Sequence, residues 1–223
     1  TPMKNFAPAQ LFDQSTQPHI VTLIALASIS ALAMNIFLPS LPSMAAYYNT
    51  TPSVMSLSVA IYLGASALLQ LFSGPISDRI GRRPVILVSL VLFIIASLAT
   101  IWAPNAETFL ALRFVQAFAA TTMVLSRAIV RDTVGKDAAA SKIAYVTMGM
   151  AVAPMIGPGI GGYLDKYFGW QAIFILLAAL GVCIFILTWF DLGETAPKGK
   201  TSFPKQVIEY KQLLSSQRFW GYC

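Results

Sequence analysis

The chain has 223 residues, of which 57% are hydrophobic and 11% are charged, and its formal net charge is +6. Soluble domains carry about 25% charged residues, so the composition excludes an ordinary water-exposed surface and indicates a protein whose solvent is largely lipid. The positive charges lie in short stretches between apolar segments, as in loops that face anionic headgroups, which argues against nucleic-acid binding. No nucleophile, metal or phosphate motif occurs, so we predict neither an enzyme nor a bound cofactor.

The first two membrane spans are predicted from an absence of charge. No Asp, Glu, Lys or Arg lies between Gln14 and Ser77. One helix needs about 20 apolar residues to cross the hydrocarbon, so this stretch holds two helices. A polar and aromatic cluster at residues 47–52 separates them. We therefore predict helices over residues 20–46 and 53–77.

Four further spans follow at shorter intervals. Residues 78–83 read as a sharp charged turn, which ends before a proline that suits the first turn of the third helix. The predicted bundle is an all-α, six-helix transmembrane domain over residues 20–190. Its remaining helices are predicted at residues 84–102, 107–130, 142–164 and 170–190.

Three shorter segments flank the predicted bundle. Residues 1–19 form an N-terminal segment, and residues 1–2, ahead of the first methionine, read as a tag remnant. Residues 191–217 form a linker, and its last part, residues 206–217, has the weak apolar pattern of a helix on the membrane face. Residues 218–223 read as the truncated start of a seventh helix.

Lysine and arginine fall almost entirely on one side of the bundle, which the positive-inside rule places in the cytoplasm. The other side receives only Lys166. Both termini, and the loops that follow the second and fourth helices, are therefore predicted to be cytoplasmic. The cations on that side are Lys4, Arg79, Arg82, Arg83, Arg131, Lys136, Lys142, Lys198, Lys200, Lys205, Lys211 and Arg218.

The most specific string in the chain is the loop at residues 74–83. Two long helices reverse direction there within a few residues, which Gly81 permits. Asp78 ends a helix, where the dipole disfavours an anion, so it needs an arginine or the N-terminus of another helix as its partner. A loop that only sets topology would need positive charge alone, so we favour a conformational latch. The latch residues are Gly74, Asp78, Arg79, Gly81, Arg82 and Arg83.

Small residues recur at every fourth position of the fifth helix and form a ridge along it. Such a ridge lets two helix backbones approach closely in lipid, and the two prolines beside it bend the helix. Tight packing of a kinked helix explains part of this pattern, and the functional interpretation adds a seal on one side of a transport pathway. The motif comprises Gly149, Ala153, Pro154, Gly157, Pro158, Gly161 and Gly162.

The fourth helix contains a charge inside the membrane. Arg113 lies about two turns from its start, where a charge costs about 2.5–3.5 kcal/mol or more. It should face an interior cavity, with Gln116 on the same face, unless its side chain snorkels to the interface. Nearer the cytoplasmic end, Arg127 and Arg131 lie one turn apart, with Asp132 as the expected ion-pair partner. We interpret these three residues as a gate.

A polar stripe on the second helix indicates either a wet cavity or plain hydrogen bonding to another helix. Methionine and phenylalanine on other helices suit a soft pocket for apolar molecules, although they are also ordinary packing residues. The candidate cavity residues are Met34, Phe37, Tyr62, Ser66, Gln70, Gln116, Met123 and Met150.

Three of these strings resemble signatures of the major facilitator superfamily. Residues 74–83 match every fixed position of its loop signature, G-x-x-x-D-R-x-G-R-R. Residues 149–162 resemble the antiporter motif of its drug/proton exporters, with Ala153 in place of one glycine. Residues 113–117 resemble the R-x-x-Q-G string of those exporters, with Ala117 in place of glycine, and the arginine of that string is implicated in proton coupling.

Two further strings, residues 34–42 and 126–132, resemble the bicyclomycin/chloramphenicol-resistance branch of this superfamily. Its first helix usually has Asp where this chain has Asn35. The resemblance therefore assigns proton coupling to Arg113 and to position 35, yet a proton-coupled exporter needs a titratable group in the membrane. Asn35 is either a natural change, with the proton carrier elsewhere or the coupling lost, or an engineered protonation mimic.

The resemblance implies the N-terminal half of a drug/proton antiporter, built as inverted repeats. It would export hydrophobic small molecules across the bacterial inner membrane, with the proton gradient rather than a cofactor as its energy source. Asp78 would contact a second six-helix bundle, from a missing C-terminal half or another copy of the chain.

Two other classes stay open at this point. One is a six-helix membrane protein that only binds or assembles, without transport of its own. The other is the membrane domain of an ATP-driven exporter, which would need a separate subunit because no G-x-x-x-x-G-K-[ST] string occurs.

Overall fold

The computed structural model describes residue 14, residues 16–134 and residues 136–195. The predicted tag remnant at residues 1–2, the amphipathic helix at 206–217 and the seventh helix at 218–223 lie outside these residues. The described part of the chain is all α-helical in its regular structure apart from a 3-10 turn. Six of its helical segments are long and apolar enough to cross a membrane, which confirms the predicted fold class.

We call these segments the first to sixth spans. Two of them are built from two helices each, and the other four are single helices. The first span joins α1 (Ile20–Asn35) to α2 (Leu41–Tyr47) through a 3-10 turn (Leu38–Ser40), and the fourth joins α5 (Ala106–Gln116) to α6 (Ala119–Thr133). The second, third, fifth and sixth spans are α3 (Pro52–Ile80), α4 (Arg82–Ile101), α7 (Lys136–Phe168) and α8 (Gln171–Asp191).

The turn between the second and third spans is much tighter than predicted. We expected a charged turn over residues 78–83, but α3 continues to Ile80 and α4 begins at Arg82. Gly81 alone lies between them, with a φ of 117°, a torsion that glycine adopts without steric cost. The expected loop at 132–140 is also mostly helical. Charged side chains can reach water from the last turn of a helix, so the helix does not end where the apolar run ends.

The first span breaks at Pro39, and a second proline, Pro42, begins the helix that follows. The last helical bond of α1 runs from the N–H of Ile36 to the carbonyl of Leu32, at 2.9 Å. Pro39 has no N–H to donate to the carbonyl of Asn35, so the α-helix does not continue past it. Pro42 lies in the first turn of α2, where a missing N–H is tolerated. The carbonyl of Ala33 lies beyond the last α-helical bond and is left for another donor.

The fourth span bends at residues 117–118, where the sequence predicted one continuous helix. The N–H of Ala117 donates to Phe114 at 3.3 Å and that of Phe118 to Val115 at 3.1 Å. These are tighter i to i+3 bonds, and such a stretch inside a helix produces a local kink. The breaks in the first and fourth spans lie on either side of the same buried arginine.

The ridge of small residues on α7 packs against the first span at its break. A Cβ atom on Gly161 would collide with the carbonyl oxygen of Ile36, and one on Gly157 would lie 3.1 Å from the side chain of Leu32. Farther along α7, a Cβ on Gly149 would lie 2.6 Å from Ile24. The glycines therefore bring α7 onto α1 at a distance that a larger residue would prevent.

We expect Gly161→Ala to lower the free energy of unfolding by about 1–3 kcal/mol, because the added methyl group meets backbone that cannot move without shifting α1. Gly159→Ala is the matched control, since a Cβ there meets nothing within 4 Å. Its higher helix propensity should leave stability unchanged or raise it by up to about 1 kcal/mol. Thermal unfolding in detergent compares the two variants, and an equal loss in both would contradict the packing argument.

Candidate functional site

Arg113, on α5 of the fourth span, is fully buried against the first span. Its two terminal nitrogens both donate to the carbonyl of Ala33, each at 3.3 Å, and one of them also donates to Gln116 Oε1 at 2.7 Å. Gln116 in turn donates to the hydroxyl of Ser97 on α4, at 3.0 Å. The guanidinium is thus tied to α1 through main chain and to α4 through one side chain. The alternative that Arg113 snorkels to the interface is wrong.

Two aromatic rings enclose the guanidinium. Its central carbon lies 4.0 Å from the ring centroid of Phe37 and 4.8 Å from that of Tyr62. The negative faces of such rings attract a cation, most strongly where water is excluded. The hydroxyl of Tyr62 is held in place by Ser30, since it lies 3.1 Å from the Ser30 hydroxyl and donates to its carbonyl at 3.1 Å.

No carboxylate in the described part of the chain forms an ion pair with Arg113; both ion pairs found there involve Arg82. The Nε atom of Arg113 is also buried without a hydrogen-bond partner. Its charge is therefore stabilised by one carbonyl, one amide and two ring faces. A buried cation with an unused donor is typical of a functional residue inside a membrane protein, so Arg113 is the central candidate for this site.

Asn35 is the last residue of α1 and lies at the same break. Its amide donates to the carbonyl of Ala31 at 2.7 Å, one turn back along the helix. The structure therefore places both predicted proton-coupling positions beside the break of the first span, with Asn35 bonded to its own helix. An asparagine amide does not titrate in the physiological range.

The eight predicted cavity residues do not line one pocket. Phe37, Tyr62 and Gln116 are fully buried around Arg113, and Met34 packs against the same apolar cluster. Met123 and Met150 instead pack against a second cluster around Leu23 and Ile129. Ser66 is buried with its hydroxyl unpaired, and Gln70 is half-buried.

The polar stripe on α3 is satisfied mostly within its own helix. The hydroxyls of Ser58, Ser73 and Ser77 each donate to a carbonyl three residues earlier. Tyr62 reaches another span, as described above, and Ser77 also accepts a bond from Arg82. Interhelical bonding therefore accounts for two positions of the stripe rather than for all of it.

Arg82, one of the predicted latch residues, is almost completely buried. Its guanidinium pairs with Asp78 at 2.8 Å and with Asp132 at 3.1 Å, and it donates to the Ser77 hydroxyl at 2.5 Å. One arginine thus joins the ends of α3, α4 and α6. The partner that Asp78 needed is this arginine.

The predicted gate differs from the observed contacts. Asp132 pairs with Arg82, and among the described residues the structure has no ion pair between Asp132 and Arg127 or Arg131. The Nε atom of Arg127 is buried without a hydrogen-bond partner, and Arg131 is exposed. Spacing along one helix placed Arg131 near Asp132, but only tertiary packing brings Arg82 to it.

The other two loop arginines differ from Arg82. Arg83 donates to the carbonyl of Trp189 at 3.0 Å and lies over its ring, 5.2 Å from the centroid. Arg79 is exposed and has no hydrogen bond or ion pair with the described part of the chain. Arg82 therefore binds two carboxylates and Arg83 binds a tryptophan, whereas Arg79 has no partner among the described residues.

Two acids at the end of the sixth span close this site, although the sequence predicts that both lie in a linker. Glu194 accepts from the backbone N–H groups of Arg82 at 2.8 Å and Arg83 at 3.3 Å, so it caps the N-terminus of α4. Asp191 accepts from the backbone of His19 at 2.9 Å and from the hydroxyl of Thr22 at 2.6 Å, at the N-terminus of α1. The sequence signal for this contact was a pair of acids three residues apart directly after an apolar run, since acids are stabilised at helix N-termini.

Glu194 also adds a second constraint on Gly81. A Cβ atom at that position would collide with the Glu194 carboxylate. Gly81 is therefore needed both for its positive φ and for the space through which the carboxylate reaches the start of α4.

Six apolar spans, two of them broken beside a buried arginine, define a multi-pass membrane protein. The Major Facilitator Superfamily matches over residues 23–223, and the chain belongs to that family. This confirms the family that the loop and helix motifs predicted.

Some curated relatives of this chain are bacterial resistance proteins by name, and others are named only as transporters. It is 33% identical over 186 residues to a bicyclomycin resistance protein homolog of Haemophilus influenzae, covering 83% of this chain and 47% of that protein. It is 30% identical over 197 residues to the multidrug resistance protein MdtL of Escherichia coli, covering 88% and 50%. The chain thus spans about half the length of the curated relatives it matches.

Among solved structures, the chain resembles that of a human organic anion transporter. The TM-score is 0.65 at 21% sequence identity, over 80% of this chain and 48% of that one. At this identity the likeness concerns the fold.

We expect Glu194→Ala to destabilise the protein by about 0.5–2 kcal/mol, the usual cost of losing a helix N-cap. Glu194→Gln is the matched control, since it keeps one acceptor oxygen and should lose less. In a double-mutant cycle, Gly81→Ala should cost less in the Glu194→Ala background, because the collision is gone and only the torsional strain remains. Additive effects on thermal unfolding would contradict the contact.

Proposed function

We propose that this chain is the N-terminal half of a secondary transporter that exports hydrophobic, drug-like small molecules in exchange for protons. The observation that carries the proposal is Arg113, fully buried where the first and fourth spans both break. Transporters form their coupling sites at interrupted helices, because main-chain groups freed there can bind charge. The names of the bacterial relatives support the drug-like substrate class.

A second six-helix bundle is part of this proposal. The most apolar stretches of the described spans differ in burial: 17% of the residues are buried in α7 and 28% in α3, against 33% in α8, 39% in α4 and 50% in the first and fourth spans. A second bundle packed on α3 and α7 would cover these faces, as the length of the relatives supports. The exposed apolar residues there include Leu57, Leu63, Leu68 and Leu71 on α3, and Tyr145, Met148, Val152, Met155 and Ile156 on α7.

Alternating access would then proceed by rocking one bundle against the other around Arg113. The network of Arg82 with Asp78 and Asp132 would hold the ends of α3, α4 and α6 together as one body. Asp78 keeps a third of its side chain exposed, so it can also contact the second bundle in one state of the cycle. This is the latch role that the loop signature implies.

The proton carrier in this proposal is a titratable group outside the spans described here. Asn35 does not titrate, and Arg113 has no carboxylate partner among the described residues. A carboxylate that carries the proton would pair with the positive charge of Arg113 while the carboxylate is ionised. It would move away from Arg113 when it becomes protonated. A proton gradient can drive transport in this way without a cofactor.

The proposed orientation places the arginine-rich end of the bundle in the cytoplasm of a bacterium, with the spans in the inner membrane. Lys142 belongs to that end, since it donates to Gln17 at 3.0 Å, and Gln17 donates to the carbonyl of Thr133 at 3.2 Å. Lys166 belongs to the opposite end, where its neighbour Asp165 accepts from Ser43 at 2.8 Å. The positive-inside rule then sets the direction.

Efflux by the full-length protein tests the proposal. In inverted membrane vesicles, we expect uptake of a lipophilic cationic dye to require a pH gradient and to stop when the gradient is collapsed. Arg113→Gln should abolish uptake, and Arg113→Lys should restore little of it, because lysine lacks the fork that binds one carbonyl twice. Lys166→Gln, an exposed change at the opposite end, is the control.

Two results would count against the proposal. Dye uptake that continues after the pH gradient is collapsed would contradict proton coupling. No uptake of any lipophilic dye by a folded full-length protein would favour the alternative of a membrane protein that binds or assembles without transporting.

Asn35→Asp provides a separate prediction about coupling. We expect the pH profile of transport to gain an additional step, because a titratable carboxylate would then stand beside the break near Arg113. Asn35→Ser is the matched control, since serine can also bond the Ala31 carbonyl but does not titrate. Identical pH profiles for both variants would show that position 35 takes no part in proton transfer.

A further inference from the structure

An apolar groove opens on the outside of the bundle, close to the latch loop. Its volume is about 230 Å³, and its walls come from α3, from α4 and from the kink of the fourth span. Only serine and threonine interrupt its apolar lining. The residues that define it are Leu69, Phe72 and Ile76 of α3, Val85 and Val88 of α4, and Phe118.

The groove faces outward rather than toward Arg113. Its rim residues are highly exposed: Phe72 to 53%, Val88 to 58% and Ile80, at the end of α3, to 64%. Leu69 and Ile76 lie about a quarter turn around α3 from Leu68, which marks the face proposed for the second bundle. The groove on their side would remain open to acyl chains in a bilayer. Its outer end lies at the turn at Gly81, the level of the headgroups.

One positive charge at that end is unused. Arg82 is paired with two carboxylates and Arg83 is bound to Trp189, whereas Arg79 is exposed and has no partner among the described residues. Arg79 follows Phe72 by seven residues on α3, so the two lie on nearly the same line of the helix, one above the other. The nearest acid in sequence, Asp78, is already neutralised by Arg82.

We propose that this groove is a specific site for an anionic phospholipid, with an acyl chain between α3 and α4 and the phosphate on Arg79. The charge decides the headgroup class: an exposed arginine at the membrane surface favours an anionic lipid by about fivefold. The groove determines where the lipid binds, because it retains an acyl chain that would otherwise exchange freely with the surrounding lipid. The lipid would link the latch loop to the composition of the surrounding leaflet.

Lipid retention by the full-length protein tests this site, independently of transport. The protein is reconstituted with equimolar phosphatidylglycerol and phosphatidylcholine of identical acyl chains, delipidated in detergent, and its retained lipids are counted by mass spectrometry. We expect about fivefold enrichment of phosphatidylglycerol. Arg79→Gln should remove this preference, and Arg131→Gln, an exposed arginine at the same end of the bundle, should not.

A second pair of variants tests the groove itself. Val88→Phe should fill it and lower the retention of both lipids. Val91→Phe is the matched control, since Val91 is exposed on the same helix but does not line the groove. Thermal unfolding of all four variants checks that each one folds.

Three outcomes would overturn the proposal. No headgroup preference in the unaltered protein would exclude an anionic lipid site. Equal losses in Arg79→Gln and Arg131→Gln would indicate diffuse surface charge. Retention that responds to Val88→Phe but not to Arg79→Gln would indicate a neutral apolar occupant, such as a transported substrate.

Discussion

The bundle is organised around the hydrogen bonds that connect Arg113 to the Ala33 carbonyl. A guanidinium inside a membrane is costly unless the protein replaces the water it loses. Here the replacement is one main-chain oxygen, the amide of Gln116 and the faces of two rings. Because α1 ends at Asn35, this oxygen has no α-helical donor, and the break in the first span thus supplies an acceptor for the buried charge.

The glycine ridge of α7 belongs to the same arrangement. Gly161 and Gly157 lie against the backbone of Ile36, next to the segment that binds Arg113. Because the contact is between two backbones, neither side has a flexible side chain with which to adjust. The ridge therefore fixes where the broken part of α1 sits, and through it the position of the carbonyl that the arginine uses.

The latch end of the bundle uses a related device. Helix N-termini carry partial positive charge and unsatisfied N–H groups, and the starts of α1 and α4 lie at the same end as the C-terminus of α8. Asp191 and Glu194 lie at the end of α8, where Asp191 accepts a hydrogen bond from the start of α1 and Glu194 accepts one from the start of α4. The sixth span is thereby fastened to the first and third by two acids, while Arg82 fastens α3, α4 and α6.

The amino-acid sequence alone determined that the protein lies in lipid and has six spans, because lipid imposes run lengths and charge distributions that can be read without a structure. It determined the family through the motifs of the loop and of the helices. It also located Arg113, since any charge inside a span stands out. It did not reveal the one-residue turn at Gly81, the pairing of Asp132 with Arg82, or the division of the cavity methionines between two clusters. Those features depend on which helices become neighbours, and contacts between residues 50 or more positions apart leave no periodic signal in the chain. Tertiary structure alone decided which partner each charged group received.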